Sequence, residues 1–405
     1  SDFAAPWGQR SFAETPALGY SGHAYQVTIQ RPTHQREEQM LRINNNPIEG
    51  AAIKHKGLLA GSTWSLCVGA GVSTGLVPVW PELTRRVVNQ AFSISYTPAE
   101  FDIAVKDLRW SLDALLQGAA NELNQQGKPA ETFADLLETA LYEDLLTVAK
   151  SRGLDAPLRD FLNNPRWLRK AEVQSLINLF ETEYSASTLV QLARSLAQAK
   201  EANKGPHAII NFNADTLLYA LLDTYLIHEH SSRIGRWEHP PYSYVKALRG
   251  IDGVTIDATP IFHCHGAVTP SPSGTTKKSR RRDSRDHLVF TEADYLSIAG
   301  NVATWAQSLF LFHAQCSRLL IVGHSLADPN IRKWLAWSLS SSIAEMGSIS
   351  SSSEVSPRHI WIARKPKDPT LKKIQEISLL HLGVRVCWIE EWSDVAKVMN
   401  NLLAL

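Results

Sequence analysis

The sequence has 405 residues, of which 41 are basic and 40 acidic, and 44% are hydrophobic. That length is ample for a sizeable core in one large domain or two ordinary ones, and the near balance of charge excludes a global field for nucleic acid or membrane. No apolar run reaches the length of a membrane span and no secretory signal is read at the start, so the expectation is a soluble, cytoplasmic protein.

In chain order, residues 1–60 carry no firm periodicity and read as an N-terminal extension that packs on the core or reaches a neighbouring subunit, with a disordered tail as the alternative. Gln35 to Arg42 suggests a short helix, which Asn44-Asn45-Asn46-Pro47 stops. Trp64 to Val68 then has the pattern of a buried strand. It runs into Gly69-Ala70-Gly71-Val72-Ser73-Thr74-Gly75. Glycine lets a backbone approach a pyrophosphate, and free amides at a following helix start offer donors to the anion. Gly69, Ala70, Gly71 and Ser73 are therefore candidate pyrophosphate ligands. The spacing is one residue longer than the common dinucleotide fingerprint, and a tight ligand-free turn is the competing reading.

A helix opens at Trp80, and from Thr97 to about Lys204 the chain reads as helical. Thr97-Pro98-Ala99-Glu100 is a capping box with proline at the first helical position. Phe101, Val105, Leu108 and Leu112 recur at helical spacing, as do Phe133, Leu136, Leu137, Ala140 and Leu141, with Gly153 as a stop. Helices at 171–182 and 186–200 follow. No face of this insertion gathers chemically useful side chains, so it reads as a lid, an assembly surface or plain scaffold.

His207 to Ile210 reads as the next strand, with Asn213 and Asp215 just past its end, where open parallel sheets bind ligands. Their alternative use is to cap the helix through Leu217, Leu221 and Tyr225. Pro260 to Cys264 reads as a strand delivering His265 and Gly266 to the same edge. His228/His230 and His263/His265 are i, i+2 pairs, but neither has further ligands spaced to complete a metal set. A mobile surface loop with a basic run, Lys277 to Arg285, follows. It lacks interleaved aromatics, so no direct nucleic-acid contact is expected.

Strands are expected at 288–290, 319–322, 359–363 and 384–389, and helices at 295–314, after Asp328-Pro329, and at 393–403. Ser338 to Ser353 reads as loose. The alternation of strands and helices predicts an α/β fold, a doubly wound, Rossmann-like parallel sheet with a large all-helical insertion. The boundaries are 61–83 and 205–405 for the sheet domain and 84–204 for the insertion.

Gly-Ala-Gly-x-Ser at 69–73, Asn213-Ala214-Asp215, His265-Gly266 and Gly323-His324-Ser325 occur in that order. In this order they resemble the motifs of the sirtuin family. The bacterial sirtuin-like branch is closest, because Phe290-Thr291-Glu292-Ala293-Asp294-Tyr295 and the stretch Gly323 to Arg332 resemble two further stretches common there. The resemblance runs from about Trp64 to Trp392 and implies NAD as substrate. It implies that Gly69, Ala70, Gly71, Ser73, Gly323 and Ser325 bind NAD and that Asn213, His265 and Asp215 are catalytic. Cys67, Cys264, Cys316 and Cys387 form no Cys-x-x-Cys unit, so the zinc module of deacylating sirtuins is absent and no metal is expected. Pro78-Val79-Trp80-Pro81 stands where deacylases usually carry Pro-Asp-Phe-Arg. Trp80 could stack on the cofactor or pack in the core.

These departures, with the helical insertion, are similar to bacterial sirtuin-like effectors that deplete NAD in anti-phage defence. The expectation is an NAD glycohydrolase yielding ADP-ribose and nicotinamide, activated by assembly or a partner. Homo-oligomerisation is expected, with a ring ATPase or a nucleotide-processing sensor subunit as the partner that the resemblance implies. Two alternatives stay open: an NAD-dependent protein deacylase, and a non-catalytic subunit that senses NAD or ADP-ribose.

Overall fold

A computed structural model describes residues 48–49, 56–129, 131–247, 258–273, 288–300, 304–349 and 357–405. The helix expected at 35–42, most of the N-terminal extension and the basic run 277–285 lie outside them. The described strands are β1 (Ile48–Glu49), β2 (Trp64–Val68), β3 (Ile209–Asn211), β4 (Ser243–Ala247), β5 (Ala258–His263), β6 (Arg318–Val322), β7 (His359–Arg364) and β8 (Val384–Ile389). They form one sheet in the order β1-β8-β7-β6-β2-β3-β5-β4. Every neighbouring pair is parallel.

The near-continuous apolar strands follow from burial on both faces, as parallel sheets require. Along β2, Trp64, Leu66 and Val68 join one core cluster while Cys67 joins the other, and along β6 Leu320 and Val322 oppose Leu319 and Ile321. On the first face pack the helices Trp80–Ala91, Glu131–Ser151, Thr188–Glu201, Leu217–Ile234 and Val395–Leu403, through residues such as Val87, Leu145, Leu196, Leu221 and Leu402. On the second pack Trp305–Cys316 and Pro329–Ile349, through Phe310, Ile331, Trp334 and Leu335. This is the doubly wound, Rossmann-like α/β fold, and residues 84–204 share the core of its first face. Fully burying one such leucine contributes about 1.5–3 kcal/mol.

The chain runs β2 to β3 on one side of the sheet, then crosses back after β5 to place β6 on the other flank of β2. The winding direction therefore reverses between β2 and β6. In open α/β sheets that reversal opens the crevice used for ligands.

Several sequence expectations change. Residues 288–290 are not a strand: Val289 donates its amide to the carbonyl of His265 at 3.0 Å, outside the sheet ladder. The single helix expected at 295–314 is two, Glu292–Gly300 and Trp305–Cys316, the second capped by the Thr304 hydroxyl. The serine-rich stretch from Ser338 is helical as far as Ile349. Ser340 and Ser342 donate to carbonyls four residues back, so their hydroxyls do not compete with the helix. The strands β1 and β4 went unread; β1 has two residues, and β4 mixes Ser243 and Lys246 with apolar side chains.

Candidate functional site

Backbone register brings the dispersed motifs together. Val322 pairs with Val68, Val68 with Asn211, and Asn211 with His263, one row across β6, β2, β3 and β5. The four motif strands are adjacent, and each hands its motif to the loop just beyond this row. Gly323, Gly69, Asn213 and His265 thus emerge along one carboxyl edge, at the reversal of the winding.

The two glycine turns lock into each other there. Gly71 donates its amide to the Gly323 carbonyl at 2.8 Å, and Gly69 donates to Val322 at 3.0 Å. A Cβ at Gly71 would stand 2.7 Å from the Gly323 oxygen, and one at Gly323 would stand 2.5 Å from the Val72 nitrogen. Gly323 also has φ +67°, which disfavours any side chain. Part of the demand for glycine is therefore protein packing. The loop is a 3-10 turn, Ala70–Ser73, and the α-helix starts only at Trp80. The amides of an immediate helix start expected from the sequence are thus missing, and the turn's own Gly69, Gly71 and Val72 amides are spent on the Val322, Gly323 and Gly69 carbonyls. Ala70, Gly71 and Thr74 are exposed, while Ser73 is buried.

Below this turn lie Asn213 and Asp215, each 4% exposed. The Asn213 Nδ2 sits 3.5 Å from the Ser73 Oγ, and its Oδ1 is buried with no hydrogen-bond partner. An orphaned buried acceptor costs about 1–3 kcal/mol, a cost that a ligand or water donating to it would offset. Asp215 Oδ1 accepts the Leu217 amide at 3.0 Å, so the capping role is real. Burial raises the Asp215 carboxyl above the usual carboxylate range, opposed by the Ser73 hydroxyl and the Leu217 amide.

His265 falls in a second grouping, joined to the first through the consecutive residues Phe212 and Asn213. Its ring meets Phe212 edge-on at 5.3 Å and Tyr295 at 5.6 Å, and Phe212 meets His324 at 5.9 Å. Burial pushes His265 down to about 4, aided by His324 and opposed by Asp328 and a hydrogen bond with the Phe212 backbone. His265 is therefore a neutral imidazole at pH 7, able to accept a proton. The Phe290–Tyr295 stretch explains itself locally. Asp294 Oδ2 accepts from the Phe290 and Thr291 amides and the Thr291 hydroxyl, starting the helix that presses Tyr295 on His265.

The Gly323–Arg332 stretch is likewise a braced turn. Ser325, exposed, accepts the Ala327 amide at 3.2 Å, and His324 Nδ1 accepts the Leu326 amide at 3.0 Å. Arg332 donates to the Leu326 carbonyl, and Trp361 donates to the His324 carbonyl at 2.8 Å. Trp80 packs on Phe290 with ring centroids 5.4 Å apart.

The helical insertion closes the back of the site. Tyr142, fully buried, donates to the Val268 carbonyl at 2.8 Å and accepts the Thr216 amide at 3.1 Å. It ties the loop after His265 to the residue after Asp215. Asn163 donates to the Pro270 carbonyl, and Asp160 accepts from Ser273. Sequence reading missed Phe212, His324, Tyr142 and Tyr295 as site-building residues. Of these, Phe212, His324 and Tyr295 lay in or beside recognised stretches, and Tyr142 did not.

The described residues hold no group of three or more His, Cys, Asp or Glu that could bind a metal. His228 is taken by Gln174, and His230 by Arg233. A cavity of about 810 Å3 lies at the opposite sheet edge, lined by Trp64, His207, Thr259 and His313 at the amino ends of β2, β3 and β5. It is remote from the motif edge. No described helix is long and apolar enough to cross a membrane.

Five of the expected site residues, Asn213, Asp215, His265, Gly323 and Ser325, stand just past the ends of β3, β5 and β6, and this part of the chain decides the family comparison. Residues 192–387 match the family model of the SIR2-like domain. The match spans just under half of the chain and supports a sirtuin-like fold family, one that uses NAD. It begins after the glycine turn, and the pairing of β2 with β3 and β6 is what sets Gly69 to Ser73 beside the matched residues. No curated protein matches the chain.

Proposed function

We propose that the chain is an NAD glycohydrolase. The observation that carries the reading is the convergence at one sheet edge of a glycine turn, the orphaned Asn213 carboxamide and the neutral His265. The donor set fits NAD: exposed backbone at Ala70 for the pyrophosphate, with no side chain at Gly71 in its way, and Asn213 for the ribose face or a water. The Ser73 and Ser325 hydroxyls complete it.

The reaction breaks the bond between the ribose C1′ and the nicotinamide nitrogen. Nicotinamide departs as a neutral ring with the bonding electrons, and positive charge develops on the sugar. Water adds its oxygen to C1′ and gives up one proton, so NAD and water yield ADP-ribose, nicotinamide and a proton. His265 takes a proton from the water or a ribose hydroxyl. Asn213 holds the water against C1′, so that the attack is oriented. Asp215 accepts from the carboxamide or balances the sugar's charge.

We read the biological role as NAD depletion in anti-phage defence, switched on by self-association or by a protein partner, a ring ATPase or a sensor subunit. Exposed apolar side chains support an assembly. Ile103, Leu108 and Trp110 stand out on and beside the helix Pro98–Leu108, and Leu371, Ile374 and Ile377 lie along Pro369–Ser378. Incubation of the purified chain with NAD, with and without acetyl-lysine peptide, tests the chemistry. Release of ADP-ribose without peptide is expected. Strict dependence on the peptide would make it a deacylase, and NAD binding with no turnover under any condition would make it a sensor.

A further inference from the structure

Behind Asn213 lies a buried polar pair that neither packing nor the proposed chemistry uses directly. Asn211 ends β3 and His263 ends β5, and they pair in register with 1% and 0% exposure. Apolar residues dominate the interiors of these strands, and a buried amide and imidazole are costly unless their hydrogen bonds are made.

The Asn211 Oδ1 accepts the backbone amide of Asn213 at 3.0 Å, and its Nδ2 lies 3.5 Å from the His263 Nδ1. A carboxamide has one accepting and one donating end, so it serves both partners in one orientation only. That orientation requires a bare lone pair on His263 Nδ1, with the ring proton on Nε2, an atom that is itself buried with no hydrogen-bond partner. A proton on Nδ1 would favour the flipped amide, and the Nδ2 would then face the Asn213 N–H, donor against donor. Burial and the charge of Lys246 on β4 keep His263 neutral by pushing it down to about 3, opposed by a hydrogen bond with the Asn213 backbone.

We infer that His263 and Asn211 are positioning residues, the imidazole fixing the Asn211 amide and that amide fixing the Asn213 backbone from which the orphaned carboxamide projects. The inference rests on the NAD reading for its catalytic consequence, but the relay itself is a property of the free protein. His263 touches neither substrate nor reacting atoms in this scheme.

The test uses the intact chain with three variants, Asn211→Asp, Asn211→Leu and His263→Phe. In the aspartate variant the carboxylate still accepts from the Asn213 amide, and His263 can shift its proton to Nδ1 and donate. Turnover of NAD per folded molecule should therefore stay within about threefold of the parent chain. The leucine and phenylalanine variants should lose at least about tenfold in kcat with KM within about threefold. A mere packing role predicts equal kcat per folded molecule in all three, and that result overturns the proposal.

Nitrogen-15 histidine NMR of the unsubstituted chain supplies a readout free of both activity and folding defects. His263 should be a neutral ring carrying its proton on Nε2, moving to Nδ1 in Asn211→Asp. A proton on Nδ1 in the parent chain removes the relay outright. If the parent chain fails to cleave NAD, the proposed function falls, and the NMR tautomer together with the Asn213 side-chain resonance in the variants still decides the positioning claim.

Discussion

The Gly71 amide donates to the Gly323 carbonyl at 2.8 Å, across the turn where the sheet reverses its winding. A side chain at Gly71 would press on that same oxygen at 2.7 Å. Gly71→Val should therefore lower stability by about 1–3 kcal/mol, because backbone cannot yield as a side chain can. Urea unfolding measures it, and an unchanged midpoint would show that the two turns part easily. Ala70, exposed beside them, is the cleaner probe of ligand binding. Ala70→Trp should leave the unfolding midpoint in place and weaken ADP-ribose binding by at least tenfold in calorimetry.

Asn213→Ala and His265→Ala should each reduce NAD cleavage by at least about a hundredfold, the lower end of what positioned proton transfer contributes. Circular dichroism should show an intact fold. Full turnover by either variant would remove that residue from the mechanism.

Acid should act on stability before it acts on His265. Burial holds His263 and His359 at about 3 and His313 at about 4, all below the ordinary 6.5. Between 6.5 and those values the unfolded chain binds protons that the native one refuses, so stability falls as pH falls. Each imidazole contributes at most about 1.4 kcal/mol per pH unit over that window. The Asp215 and Asp223 carboxyls, raised by burial, act in the opposite sense but are outnumbered by these histidines. Thermal unfolding should show the melting temperature dropping from pH 6.5 to 4.5. With His265 at about 4, kcat/KM should hold to about pH 5; an acid limb centred near 6.5 would contradict a desolvated neutral base.

Tyr142→Phe should cost about 1–3 kcal/mol, because the Val268 carbonyl loses its donor and the Thr216 amide its acceptor inside the core. Both flank site residues, so turnover should fall together with stability. A variant as stable and as active as the parent would mean that water replaces the phenol.

Turnover per chain should rise with protein concentration if assembly activates the enzyme. Sedimentation run beside an NAD assay checks it, and full activity in a dilute monomer would end that part of the proposal. Trp110→Ser, at the exposed end of the Pro98–Leu108 helix, should shift the assembly towards smaller species.

Local sequence was enough to determine the elements whose signals are short-range. The Trp64–Val68 strand, the Thr97 capping box and the ordered motifs all stand where their residues indicate, because apolar runs and capping side chains act within a few positions. The carboxyl-edge position of Asn213 and His265 was readable for the same reason. Tertiary structure decided the rest. Only register across four strands shows that Val322, Val68, Asn211 and His263 share a row, and only the folded turns show that Gly71 answers to Gly323 as well as to any ligand. Tyr142 lies 126 residues from the carbonyl it binds, so no local pattern could announce it. His263 and His265 look alike as an i, i+2 pair. Burial separates them, setting one imidazole behind Asn213 against Asn211 and the other against Phe212 and Tyr295. Periodicity reports which face of an element is apolar, whereas the partner that a buried polar atom meets depends on chain segments that only folding brings together.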